Sequence, residues 1–244
     1  MIEAKEKTMK EIIFVTTNKG KVASAQKELK NIKVLSIEAE LSEPRSDDIK
    51  EIAKQKVLQA HSIVKRPCIA LDSGFFISAL NGFPRAYVNH MLDTIGIEGI
   101  LKLMHGEENR ACEFRSCLAY YDGEEMRFFE SKSPGAIAGK IRGSENVNSW
   151  SDLWYIFIPR YFHKTMAEFN EEDFMEYNRV KEDSGMKKFG EWFSVSLQGG
   201  DRDDYWFVGS GNSSFDSRIF DTSRFRDDFI AVCDSFGGGI GAVS

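Results

Sequence analysis

The chain has 244 residues, 42 % of them hydrophobic, with 32 basic and 38 acidic side chains and a formal net charge of -6. That length supplies a full core for one domain or one and a half. The acidic balance argues against a DNA or RNA duplex as partner, because a phosphate backbone needs a basic footprint. One nucleotide, needing two or three placed cations, is still allowed.

Residues 11–17, EIIFVTT, are β-branched and apolar and predict a buried strand. Asn18-Lys19-Gly20 turns the chain into a predicted helix over 19–30, so the opening thirty residues read as an α/β unit. IKVLSI, residues 32–37, predicts a second strand, and 38–47 with Pro44 predicts a loop. Asp47 or Asp48 is placed to cap a helix reaching about Lys65, with Ile49, Ile52, Ala53, Val57, Ala60 and Val64 at helical spacing. Residues 68–71, CIAL, predict a short buried strand that delivers Asp72-Ser73-Gly74 at its end. Gly82-Phe83-Pro84 reads as a turn, and 85–94 and 97–105 as two helices.

The pattern then changes. CEFRSCLAYY, residues 112–121, alternates like a strand, Asp122-Gly123 signals a hairpin, and MRFFESK returns as its partner. Another strand is predicted in GAIAGKI, and a helix in the charged run near 168–183. Beyond Gly190, EWFSVSL, DYWFVGS and RDDFIAVCDSF read as three strands. The aromatics of this last region predict packing to about residue 234, because such side chains are costly to leave in water.

Four cysteines, Cys68, Cys112, Cys117 and Cys233, lack zinc-like pairing and read as reduced core thiols. No run reaches the roughly 18 apolar residues of a membrane span, and no secretory signal opens the chain, so the expected setting is cytoplasmic with no membrane partner. The histidines show no metal spacing, and neither G-x-S-x-G, a Walker lysine motif nor G-x-G-x-x-G occurs.

Polar residues fall where an α/β sheet binds ligands, beyond the C-terminal ends of its strands. Asn18 and Lys21 follow the first strand, and Asp72 and Ser73 follow the buried one. A helix start offers free N–H groups to phosphate, and Lys21 adds charge there. Asp48, Glu51 and Lys56 share neighbouring turns of the second helix. Carboxylates with lysines suit a magnesium–triphosphate, the acids holding metal and the lysines neutralising phosphate. The turn residues also suit a purely conformational role, Asp48, Glu51 and Lys56 alone are more often a solvated helix face, and Asp72 also suits a cap for the next segment.

Five segments in order resemble the inosine triphosphate pyrophosphatase family. IIFVTTNKGK (12–21) is similar to its strand and T-G-N-x-x-K opening, and EIAKQKVLQA (51–60) to its acid, lysine and alanine helix. ALDSGFFISALNGFPRAYV (70–88) resembles E-D-[ST]-G-L-x-[FV]-x-A-L-x-G-x-P-G-x-[YF]. FFESKSPGAIAGKIRG (128–143) and IFIPRYFHKTMAEF (156–169) resemble its hairpin and its F-x-P-x-x-x-x-K-T-x-A-E segment. The match covers about 12–192.

The resemblance implies an α/β fold of two lobes around a long mixed β-sheet, with the nucleotide in the cleft between them and a homodimer as the assembly. It divides the chain into a flexible 1–10, a pyrophosphatase-like domain at 11–192 with an antiparallel lobe at about 112–165, and an additional segment at 193–244. The implied reaction is hydrolysis of a nucleoside triphosphate to monophosphate and pyrophosphate, with Mg2+, or alternatively Mn2+. Carried over, Asp72 and Glu51 are the catalytic acids, and Asp72, Asp48 and Glu51 the metal set. Thr17, Asn18, Lys21, Lys56 and Ser73 face phosphate, and Asp152, Trp154, Asn178 and Arg179 line the base pocket.

The chain departs from the pattern at several points. Thr17 stands at the family's opening glycine, Leu71 at the acid before the central Asp, and Asn89 at a lysine. SDLWY replaces F-G-[YW]-D-P, and MEYNRV lacks the histidine of S-H-R. These losses hit the base-reading side harder than the metal side. A weak or inactive relative that binds nucleotide or serves as a structural or interaction protein is therefore the alternative.

Overall fold

Three apolar residues in a row, Ile12 to Phe14, and Val15 after them are all buried, which makes β1 (Lys10–Val15) a central strand covered on both faces. The structure is a computed structural model and describes residues 10–144, 151–181 and 184–196. The expectations for residues 1–9, Cys233, the two strands after residue 200 and packing to residue 234 lie outside the described residues.

Helix α1 (Lys19–Glu28) returns the chain to β2 (Ile32–Ile37), which pairs parallel with β1. Helix α2 (Ile49–Val64) starts on Asp48, whose carboxylate accepts from the Lys50 N–H, and stops where Lys65 turns left-handed. The next strand, β3 (Cys68–Ile77), lies on the other side of β1 and parallel to it. A short 3-10 turn, Ser78–Leu80, leads to β4 (Pro84–Arg85), which folds back antiparallel on β3. Helices α3 (Val88–Thr94) and α4 (Gly96–Leu103) follow. The hairpin β5 (Ala111–Tyr121) and β6 (Met126–Ile137) then extends the sheet, and β7 (Phe157–Pro159) closes that edge. Helices α5 (Glu171–Val180) and α6 (Gly185–Ser196) end the described chain.

The result is a mixed seven-stranded sheet in the order β2-β1-β3-β5-β6-β7, with β4 on β3. Strand alternation sorts its two faces. Ile69, Leu118 and Tyr120 pack with α1 and α6, among them Ala25, Leu29, Phe189 and Phe193. On the opposite face Cys68, Ala70, Cys117 and Ala119 pack beneath Ala53, Val57 and Ala60 of α2. Farther along the strands, Phe75, Ile77 and Cys112 join a third cluster with α3, α4 and the Leu153–Trp154 turn. Two groups of helices thus cover successive lengths of one long sheet, which is the two-lobed α/β arrangement.

Three expectations are corrected. The strand expected at 68–71 runs on to Ile77, so Asp72, Ser73 and Gly74 lie within it and not beyond its end. It continues because β5 pairs with every residue from Cys68 to Ile77. The separate strand expected in GAIAGKI is the far end of β6, which passes without a break through Pro134 and Gly135 to Ile137. The described part of EWFSVSL, residues 191–196, is helical: α6 buries Met186, Phe189 and Phe193, which lie at helical spacing. The three described cysteines are buried and free. Burial pushes the Cys68 and Cys117 thiols up to about 12, as expected of inert core thiols.

Candidate active site

Strand β1 ends while its neighbour β3 continues. The last aligned pair is Phe14 with Ile69, and β4 covers the same edge only from Phe75. The β3 backbone from Leu71 to Gly74 therefore faces a notch in the sheet edge. Asn18 and α1 stand at the end of β1, so they open onto this notch. Lys21 reaches across it, its Nζ donating to the Leu71 carbonyl at 3.1 Å. The strand-end logic of the sequence holds in altered form: the end of β1, not of β3, makes the crevice.

Asp72 lies on the β3 face that carries Cys68 and Ala70, turned toward α2. The buried stripe of α2 is Ile52, Ala53, Lys56, Val57 and Ala60, so a lysine occupies a core position of an amphipathic helix. A buried ammonium needs partners. Lys56 Nζ finds two, Asp72 Oδ1 at 2.7 Å and Glu43 Oε1 at 2.5 Å. Asp72 is 5 % exposed and Lys56 9 %, whereas the Glu43 side chain is 60 % exposed. One ammonium thus gathers two carboxylates, one fixed in the sheet and one borne on the loop before α2.

Burial sets the proton affinities. It pushes the Asp72 carboxyl above the usual carboxylate range, even though Lys56 and Lys21 pull it the other way. Burial likewise lowers the Lys21 ammonium, against the attraction of Asp72. For Lys56 burial acts downward too, but Asp72 and Glu43 together outweigh it and hold the charge more firmly than in a free lysine. Because the folded state holds the Asp72 proton more tightly, Asp72 favours folding most below the ordinary aspartate range. That contribution is lost as pH rises through its raised pKa. Urea unfolding of the metal-free protein should show wild type losing stability relative to Asp72→Asn across that window. A difference that stays flat with pH would refute the raised affinity.

The other expected residues fall in different places. Asn18 caps α1, its side chain accepting from the Lys21 N–H at 3.0 Å, so part of its capacity is already spent. Thr17 is exposed beside it, and Ser73 pairs in register with Ser116. Asp48 is the α2 cap, and Glu51 accepts from Gln55 at 2.9 Å and Lys54 at 3.4 Å. Among the described residues no three His, Cys, Asp or Glu side chains form a group fit to hold a metal. The expected set of Asp72, Asp48 and Glu51 is therefore not brought together, and Glu43 stands beside Asp72 where sequence reasoning had no acid. Trp154 is buried and packs on Phe174 with ring centroids 5.7 Å apart. Asp152, Asn178 and Arg179 are exposed, and Arg179 pairs with Glu176 one turn away.

Comparison with known proteins meets this geometry. A model of the Ham1 family matches residues 12–180. A dITP/XTP pyrophosphatase of Thermococcus kodakarensis is 36 % identical over 190 residues, covering 77 % of this chain and 99 % of that protein. One from Methanopyrus kandleri is 36 % identical over 192 residues, covering 77 % and 98 %. The solved Ham1 protein of Coxiella burnetii superposes with a TM-score of 0.63 at 22 % identity, over 79 % of this chain and 100 % of that one. The Staphylococcus aureus Ham1 structure gives 0.61 at 23 % identity, over 78 % and 99 %. These likenesses of sequence and fold agree with the resemblance carried by the motifs, and the chain belongs to the Ham1 family.

Proposed function

We propose that the chain hydrolyses a nucleoside triphosphate to the monophosphate and pyrophosphate, with a purine of the dITP or XTP kind as substrate. The observation that carries the reading is the notch itself, where Lys21, Lys56, Glu43 and Asp72 meet beside the start of α1. Two lysines match the charge of a triphosphate tail, and two carboxylates gathered on either side of Lys56 match a divalent cation that takes its other ligands from phosphate.

Asp72 and Glu43 would hold Mg2+, with Mn2+ as the alternative, because each carboxylate has a second oxygen besides the one that accepts from Lys56. When bound, the ion supplies Lewis-acid polarisation of the phosphoryl oxygens. The chain's own groups do the rest. Lys21 and Lys56 neutralise the phosphates and hold them in the notch. Asp72 takes a proton from water as the water oxygen bonds to the α-phosphorus. The bond from that phosphorus to the bridging oxygen breaks, and pyrophosphate leaves with the electron pair. We assign Asp48 and Glu51 to the start of α2 and not to the metal. Asp152, Asn178 and Arg179 are exposed and available to a base, whereas Trp154 is buried in the core. The reading includes a homodimer in the cytoplasm, and a one-chain mass in sedimentation would overturn the dimer.

The deciding experiment is incubation with Mg2+ and a panel of nucleotides. Pyrophosphate release, greatest with dITP or XTP, is the expected result. Orthophosphate alone, or no product from any nucleotide, would overturn the reading, and the second outcome would favour the non-catalytic alternative.

A further inference from the structure

We infer that Gln59 is a positioning residue for Glu43, holding the loop before α2 so that this acid meets Asp72. The inference rests on the metal reading of that pair. Glu43 belongs to a stretch between β2 and α2, residues 38–48, that has no helix or strand. Its side chain is 60 % exposed, and its ion pair with Lys56 is open to solvent on that side. With the carboxylate that exposed, the pair alone leaves the backbone of the loop unheld.

Gln59 does order it. The Gln59 carboxamide accepts from the Ser42 N–H at 2.9 Å and donates to the Ser42 carbonyl at 2.9 Å. Both backbone groups of one residue are thus held by one side chain, as a neighbouring strand would hold them. The residue so fixed directly precedes Glu43. Gln59 and Lys56 are three apart on α2, so the clamp and the ammonium that meets Glu43 project from adjacent turns of one rigid element. Pro44 stiffens the next link, and the far end of the loop is tied by the Asp47–Arg85 ion pair. Glu43 is delivered already placed, and the ordering cost is met before metal arrives.

The test titrates Mn2+ alone into the metal-free full chain, read by electron paramagnetic resonance. Gln59→Met keeps length and helix propensity but removes both hydrogen bonds. It should weaken Mn2+ binding about tenfold, the low end of what supporting partners of metal ligands contribute. Gln59→Glu keeps the acceptor for the Ser42 N–H and should fall between the two. Glu43→Gln should weaken binding at least as much as Gln59→Met, and the double variant no further than Glu43→Gln. Wild-type affinity in Gln59→Met with weak binding in Glu43→Gln overturns the positioning role and leaves the metal reading standing. Wild-type affinity in Glu43→Gln removes the metal reading of that acid and this inference with it. Additive losses mean that Gln59 acts apart from Glu43, which also overturns it.

Discussion

Asp72→Asn is expected to fold like the parent and to lose about 100- to 10,000-fold in metal-dependent turnover, the range for removal of a placed proton acceptor. The substitution preserves size and one oxygen, and β3 keeps its full backbone pairing with β5 around position 72. What changes is charge. Asparagine is a poor ligand for a hard divalent cation and cannot take a proton from water. Stability at neutral pH should fall less than on loss of Lys56, because an ionised carboxylate that burial disfavours is replaced by a neutral amide and the Lys56 ammonium keeps Glu43 as partner. Pyrophosphate release at saturating Mg2+ and nucleotide, measured beside a urea unfolding curve, decides it. Turnover equal to wild type would remove Asp72 from the centre of the site.

Much of this arrangement was legible from residue patterns. β1, α1, β2 and α2 follow hydrophobic period and capping chemistry, and of the two candidate caps, Asp47 and Asp48, it is Asp48 that caps α2. Of Lys21, Lys56 and Asp72, read as one site, Lys56 pairs with Asp72 and Lys21 donates to the carbonyl of the preceding Leu71. The misreadings have local causes. Ser73-Gly74 looks like a turn, yet the glycine serves close approach: a Cβ there would lie 2.6 Å from the Arg85 carbonyl oxygen. The chain therefore stays extended exactly where its composition suggests a bend. EWFSVSL alternates only when cut from its context, because the partners Met186 and Phe189 of its helical face come before Glu191. Glu43 sits in a charged loop without periodicity, and its role depends on Lys56, 13 positions away, and on Gln59, which lies 17 positions from the Ser42 that it holds, both on another element. No spacing rule connects a loop acid to a helix face before the fold brings them together.

Lys56→Met is expected to cost about 3–5 kcal/mol of stability at neutral pH, the range for breaking a buried ion pair from one side. The methionine fits the stripe between Ala53 and Val57, so packing is not the source of the loss. The source is Asp72, left 5 % exposed without the ammonium 2.7 Å from its oxygen. Glu43 is less affected, because solvent reaches its side chain. The sign of the pH dependence follows. Without Lys56 the folded state holds the Asp72 proton still more tightly, so protonation relieves the penalty and the deficit should shrink as pH falls. It should grow as pH rises through the raised pKa of Asp72. Adding Asp72→Asn should recover most of the lost stability by removing the stranded charge, while activity stays lost because neither acid nor ammonium remains. Urea unfolding of the single and double variants across pH tests each step. A deficit independent of pH, or a double variant no more stable than Lys56→Met, would mean that Lys56 stabilises the fold through something other than its charge on Asp72.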